Sequence, residues 1–160
     1  MFAAGDRVVY PLHGGAIIKG IERRELNGEI KEYLILQTLF ENMLVTVPVS
    51  SVEKIGLRQI VTNKELEQVA EILHETPDLK SIKSISWNRR FHIYMDKLKS
   101  GSIKEVARVF KILFSLENDK RISVGERRLL HNTRQILQSE IMLVKNINAD
   151  QANSWLNKCC

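Results

Sequence analysis

The apolar and polar positions of this chain change period once, close to residue 61. Before that point apolar residues come in short β-branched runs: Arg7-Val8-Val9-Tyr10, Ala16-Ile17-Ile18-Lys19-Gly20-Ile21, Tyr33-Leu34-Ile35-Leu36 and Leu44-Val45-Thr46-Val47-Pro48-Val49. Such runs suit a half-buried pleated surface and predict strands. Pro11, Gly14-Gly15, Asn27-Gly28 and Glu41-Asn42 mark the turns between them. Asn27-Gly28 predicts a two-residue type I′ hairpin, because both central positions of that turn need positive φ. About five short antiparallel strands in so few residues predict a small barrel that curls to hide its edges.

From Thr62 onward the spacing becomes helical. Capping boxes are expected at Thr62 with Glu65, Ser102 with Glu105, Ser123 with Glu126 and, in a weaker form, Asn148 with Gln151. Ser86 offers a further N-cap hydroxyl with no acidic residue three positions on. Leu66, Val69, Ala70 and Leu73 form one apolar face, and Phe91, Tyr94, Met95 and Leu98 a second. Val106, Val109, Phe110 and Leu113 form a third, and Leu130, Thr133, Ile136, Leu137, Ile141 and Val144 a longer fourth. Pro77 closes the first helix, and Gly101 closes the second as a C′ residue. The expected architecture is α+β: an antiparallel β module over residues 1–61, then a compact bundle of about five helices over residues 62–160.

Composition bounds the function. The 160 residues are 44% hydrophobic and 27% charged, an ordinary soluble balance. No apolar run approaches the roughly 20 residues that span a bilayer, and Met1 to Asp6 lack a signal-peptide pattern, so a cytoplasmic protein is expected. The two cysteines, Cys159 and Cys160, are adjacent, without zinc-site spacing or a partner for a long-range disulfide, and are expected to be frayed tail residues. No flanking polybasic segment supports a prenylation address.

Charge separates the halves more sharply than hydropathy does. Residues 1–61 hold 7 Lys/Arg and 7 Asp/Glu, whereas residues 79–134 hold 14 and 5. That excess attracts a polyanion through counterion release. Inside it stands Ser86-Trp87-Asn88-Arg89-Arg90-Phe91-His92, an indole beside two guanidinium groups at a helix start. Taken alone, such a tryptophan is more simply a ring packed under a helical turn. Trp155, with only Lys158 nearby, is assigned to packing against the bundle.

Enzyme chemistry has little to stand on. His13, His74, His92 and His131 are scattered, and no His-Glu-x-x-His pair, Cys-His arrangement or acidic metal cluster occurs. Gly14-Gly15 leads from strand to strand, so it lacks the helix N-terminus a phosphate loop needs. A non-enzymatic binding protein without a cofactor or metal is expected.

Several motifs resemble the CarD/CdnL family of bacterial transcription regulators, whose N-terminal module is shared with transcription-repair coupling factor. The likeness begins with Gly5-Asp6-Arg7-Val8-Val9-Tyr10-Pro11-Leu12-His13-Gly14-Gly15-Ala16 and continues through Lys31 to Leu36 and Val47-Pro48. Its stronger part is Trp87 to Phe91, Lys97 to Gly101, Val106 to Val109, Leu116 to Lys120, Ser123 to Leu130 and Arg134 to Leu137. The chain is too short for the coupling factor's helicase motifs.

The resemblance implies a Tudor-like N-terminal barrel that docks on the β subunit of RNA polymerase by adding a sheet edge, with Arg24, Thr46, Val47 and Pro48 at the contact. Thr46 stands where relatives often carry a second arginine. It further implies that the helical half meets promoter DNA at the upstream edge of the bubble. There Trp87 would wedge from the minor-groove side at the fork junction, with Arg89 and Arg90 on phosphates and His92 where several relatives carry lysine. Lys120, Arg121, Arg127 and Arg128 complete the expected DNA-binding set. The expected protein is a monomer reaching the nucleoid through polymerase. The rival reading is a protein-interaction adaptor on polymerase without DNA binding; a sequence-specific repressor ranks last, since no dimerisation seam is visible.

Overall fold

The computed structural model describes residues 1–40 and 42–160, so the turn expected at Glu41-Asn42 lies partly outside the described residues. Strands β1 (Arg7–Tyr10), β2 (Gly14–Leu26), β3 (Glu29–Thr38), β4 (Leu44–Pro48) and β5 (Arg58–Gln59) pair antiparallel in the order β4-β3-β2-β1-β5. The expected barrel does not close. Among the described residues strand β5 is only two residues long and pairs with β1 alone, which leaves β4 as an unpaired edge. Asn27 (φ 53°) and Gly28 (φ 80°) supply the two positive angles of the predicted hairpin, with Leu26 opposite Glu29. Val8, Ala16, Ile18, Leu34, Leu36, Val47 and Leu57 form the core of this module.

A single helical turn, α1 (Val52–Ile55), leads to β5, and helices follow at α2 (Asn63–His74), α3 (Leu79–Lys83), α4 (Trp87–Lys99), α5 (Ile103–Asn118), α6 (Val124–Lys145) and α7 (Ala149–Cys159). Five of them match the predicted starts. Short α3, capped by the Asp78 carboxylate, was not expected. Thr62, Ser123 and Asn148 form both arms of their capping boxes. Ser102 forms only one, because the Glu105 carboxylate turns to Lys97 at 2.7 Å and Arg108 at 2.5 Å. Those cations, led by the Lys97 hydrogen bond, hold the Glu105 pKa below its ordinary value. Ser86 makes no side-chain cap bond.

The bundle core runs through Leu66, Val69, Leu73, Tyr94, Phe110, Leu113, Leu116, Leu137, Ile141 and Leu156. Cys159 belongs to it at 8% exposed, which corrects the frayed-tail expectation: α7 runs through that residue and its thiol faces the core. Burial pushes both cysteine thiols up in pKa. Trp155 packs against the bundle as expected, under the Lys145 ammonium 5.6 Å from the ring centroid. No described helix is long and apolar enough to cross a membrane.

Helix α6 is buried on two sides, since the bundle covers one face and the sheet another. Gly14 and Gly15 lie directly on it. A Cβ on Gly15 would come within 2.9 Å of Ser139 O and of Leu143, and one on Gly14 within 2.5 Å of Ser139 Oγ. That hydroxyl instead accepts from the Gly15 amide at 2.7 Å. Nearby, Arg58 donates to both oxygens of Glu140 at 2.8 Å and to Gly101 O at 2.6 Å, while the Val61 amide also reaches Glu140 at 2.9 Å. Arg7 donates to Leu143 O and to Asn146 Oδ1, both at 2.5 Å, covering carbonyl groups at the α6 C-terminus. The β module is thereby fixed to the far end of the helix whose N-terminus lies beside Trp87.

Candidate nucleic-acid interface

Trp87 opens α4 and is half-buried, its inner side packed against the bundle core. Helical spacing carries the stripe on to Arg90, Phe91 and Tyr94. Tyr94 is buried, while Phe91 remains 39% exposed with its ring 5.7 Å from the indole. The first turn of α6 also meets the indole. A Cβ on Gly125 would lie 2.8 Å from Trp87 Cζ2, so the ring rests on bare backbone there. Val124, the preceding residue, is 76% exposed. The partly buried indole is therefore flanked by exposed Phe91, and exposed Val124 precedes the glycine it rests on.

Arg90 departs from its expected place. It is only 7% exposed, donates to Ile85 O at 2.6 Å and pairs with Glu126 at 3.4 Å. Its guanidinium carbon sits 5.5 Å from the Trp87 ring centroid, in cation–π range. A buried guanidinium already engaged on both sides is not offered to a phosphate. Arg89 is exposed, but two residues along a helix turn the side chain by about 200°, so it faces away from the indole. His92 is also exposed, about 140° round from Trp87 by the same geometry.

The other expected cations lie around the α6 N-terminus. Lys120 (φ 57°) and Arg121 sit in the loop before it, exposed, with Arg121 paired to Asp119 at 2.8 Å. Arg127 is exposed and loosely paired with Glu117 at 3.9 Å. Arg128, exposed and without an ion pair among the described residues, is three residues after Gly125 and four after Val124, on the strip that borders the indole. The structure thus sets the α6 N-terminus at Gly125 against Trp87, turns Arg89 away from the indole, and keeps His92 linked to it only through Phe91, whose ring centroid is 6.2 Å from the imidazole.

Glu126 is the residue that sequence reasoning saw only as a cap. Fully buried, it accepts from the Ser123 amide at 3.3 Å and hydroxyl at 2.9 Å, from Lys83 at 3.3 Å and from Tyr94 OH at 3.3 Å, besides pairing with Arg90. Burial opposes its charge most strongly, yet the two Ser123 bonds, with Arg90 and Lys83, together outweigh that and hold its pKa below the ordinary 4.5. Burial, with the neighbouring carboxylate, pushes the Tyr94 phenol up to about 12. The available signal was a capping glutamate three residues after Ser123 in a chain with buried-stripe arginine at i+3 of a tryptophan.

On the β module, register puts Arg24, Tyr33, Thr46 and Pro48 on one outward face: Tyr33 is opposite both Glu22 and Pro48, and Thr46 is opposite Ile35. Arg24 lies over Tyr33 at 5.2 Å and pairs with Glu22 at 3.2 Å, whose hydrogen bond raises the guanidinium pKa. Val47 points the other way and is 2% exposed, so its side chain belongs to the core and only its backbone lies at the β4 edge. Among the described residues no cluster of His, Cys, Asp or Glu could hold a metal ion.

Comparisons with known proteins cover both halves. Residues 68–157 match the family described as CarD, C-terminal domain, and residues 2–61 match the CarD-like/TRCF RID domain. The chain is 31% identical over 155 residues to YdeB of Bacillus subtilis (strain 168), a candidate transcription factor by name, covering 97% of this chain and 99% of that protein. Two solved structures from Myxococcus xanthus are also similar. CdnLNt is 33% identical, with a TM-score of 0.34, over 39% of this chain and 89% of its own; the 72-residue N-terminal domain of CarD is 32% identical, with a TM-score of 0.32, over 37% and 79%.

Proposed function

The chain belongs to the CarD family of transcription regulators, and from that premise we propose that it is a non-enzymatic factor that binds RNA polymerase and stabilises the open promoter complex. The unpaired β4 edge adds to a strand of the polymerase β subunit, and the outward Arg24, Thr46 and Pro48 side chains select that strand. Val47 contributes only backbone. The helical half meets promoter DNA without reading its sequence, at the upstream fork, in the cytoplasm and as a monomer. The exposed cations Arg89, Lys120, Arg121, Arg127 and Arg128, with His92, hold backbone phosphates.

The observation that carries this reading is the Trp87 indole, only partly buried and flanked by exposed Phe91, in the strongly basic part of the chain. An apolar ring of that kind stabilises an unstacked base step by a few kcal/mol and so favours open over closed DNA. Because the β module and the bundle are fixed to each other through α6, polymerase binding also raises the effective concentration of a weak DNA contact.

The test compares wild type with Trp87→Ala in open-complex lifetime on purified polymerase, after both are shown to be equally folded. A lifetime at least about fivefold shorter is expected, as loss of roughly 1 kcal/mol or more implies. Equal lifetimes sink the wedge. Forked DNA that stays unbound even at low salt, with polymerase binding intact, replaces this reading by the adaptor.

A further inference from the structure

A buried Arg–Glu pair is a poor device for stability alone, because desolvating both charges offsets most of their attraction and an apolar pair often does as well. The pair between Arg90 and Glu126 therefore invites a second role, and its surroundings supply one. We propose that Arg90, Glu126 and Gly125 form a seat that fixes how far the Trp87 indole projects, which makes Arg90 a positioning residue and not a phosphate ligand. The seat rests on the reading of Trp87 as a wedge.

Three observations converge. The first is the saturation of Arg90. One terminal nitrogen donates to Ile85 O at 2.6 Å, the other pairs with Glu126 at 3.4 Å, and the buried Nε has no hydrogen-bond partner among the described residues. The electron-rich indole face, 5.5 Å away, is what remains to compensate it. The second is the notch. Three atoms of the benzo ring, Cζ2, Cη2 and Cε2, lie 2.8, 3.4 and 3.5 Å from where a Gly125 Cβ would stand, so any side chain there displaces the ring. The third is adjacency. Gly125 and Glu126 are consecutive residues of the α6 N-terminus, and the reciprocal cap with Ser123 locks that turn, so notch and counter-charge move as one piece.

The consequence is mechanical. An indole held along one edge by backbone and across one face by a fixed cation keeps little rotamer freedom, while the ring remains partly accessible beside exposed Phe91. Its ordering cost is met in the free protein, and the ring meets DNA at a set depth. Cation and wedge are decoupled: Arg90 acts on the ring, and other cations hold the backbone.

The test uses the full chain carrying Trp155→Phe, so that Trp87 is the sole fluorophore. Two variants perturb the seat by different routes. Gly125→Ala fills the notch, and Arg90→Met with Glu126→Gln removes the ion pair without leaving a lone buried charge. Circular dichroism first confirms folding, and Gly125→Ala, which favours the helix, stands by itself where the double variant fails to fold. In either variant acrylamide quenching of Trp87 is expected to change about twofold and preference for forked over duplex DNA to fall about fivefold, while the salt slope of fork binding stays unchanged. Arg89→Ala, by contrast, lowers that slope by about 1 if it touches a phosphate. Unchanged quenching overturns the seat, as does a slope that falls by about 1 when Arg90 is neutralised. If Trp87→Ala itself leaves fork preference intact, the wedge reading fails, and quenching alone then decides the seat.

Discussion

Helix α6 carries two buried glutamates, and they are held in different ways. Glu140 meets Arg58 in a two-pronged pair, both arms at 2.8 Å, with a backbone amide on the same carboxylate. Glu126 meets more partners at longer range, with Lys83, Tyr94 and Arg90 at 3.3 to 3.4 Å. A planar guanidinium matched to one carboxylate fixes position and angle through one partner, whereas Glu126 is held by its own cap, with Ser123 Oγ at 2.9 Å, and shares its charge among the longer contacts. The first suits a joint between domains. The second suits a site where one buried carboxylate must serve several elements at once, the α6 cap, Lys83, Tyr94 and the Arg90 that lies over Trp87.

The contrast is broken most severely at the joint. Glu140→Ala leaves Arg58 without its partner, and since Arg58 is itself 27% exposed the expected loss is about 2–4 kcal/mol, read by urea unfolding. Small-angle scattering of that variant should show the β module moving independently of the bundle. Gly15→Ala attacks the same joint sterically, against Ser139 O at 2.9 Å, and should cost about 1–3 kcal/mol in the same assay.

Glu126→Gln tests the other end and should cost about 1–2 kcal/mol near neutral pH. Its pH dependence has a definite sign. Because the folded pKa lies below the ordinary 4.5, the unfolded chain takes up the proton first as pH falls. The carboxylate's contribution is thus fully present above that ordinary value and disappears as pH drops through the depressed one. Unfolding followed across the acid range should therefore show a shallower slope for Glu126→Gln than for wild type. The smallest effect belongs to Ser102→Ala, about 0.5–1 kcal/mol, since its capping box lacks the return arm.

How much of this was legible follows from what a pattern can encode. Strand and helix starts were readable because Asn27-Gly28, Thr62, Ser123 and Asn148 satisfy local rules within three residues. The open sheet was not, because closure depends on β5 being too short to reach β4, a matter of length and not of type. Beside Trp87, the pattern could not separate Arg89 from Arg90: neighbouring cations in sequence diverge by about 100° on a helix, so Arg89 faces solvent and Arg90 the core. Ser139 and Glu140 were missed altogether. A single apolar stripe predicts one buried face, and α6 has two.

That doubly covered helix makes the protein sensitive to phase as well as to distance. Fourteen residues separate Glu126 from Glu140, about 21 Å of helix, and both ends are keyed to partners that do not turn with it. Inserting one residue between them would add only about 1.5 Å but swing the β module by about 100° around the helix axis, taking β4 away from any surface that Trp87 addresses. Inserting seven would add about 10.5 Å yet restore the angle to within about 20°. A screw, rather than a tether, describes how the two ends stay in step.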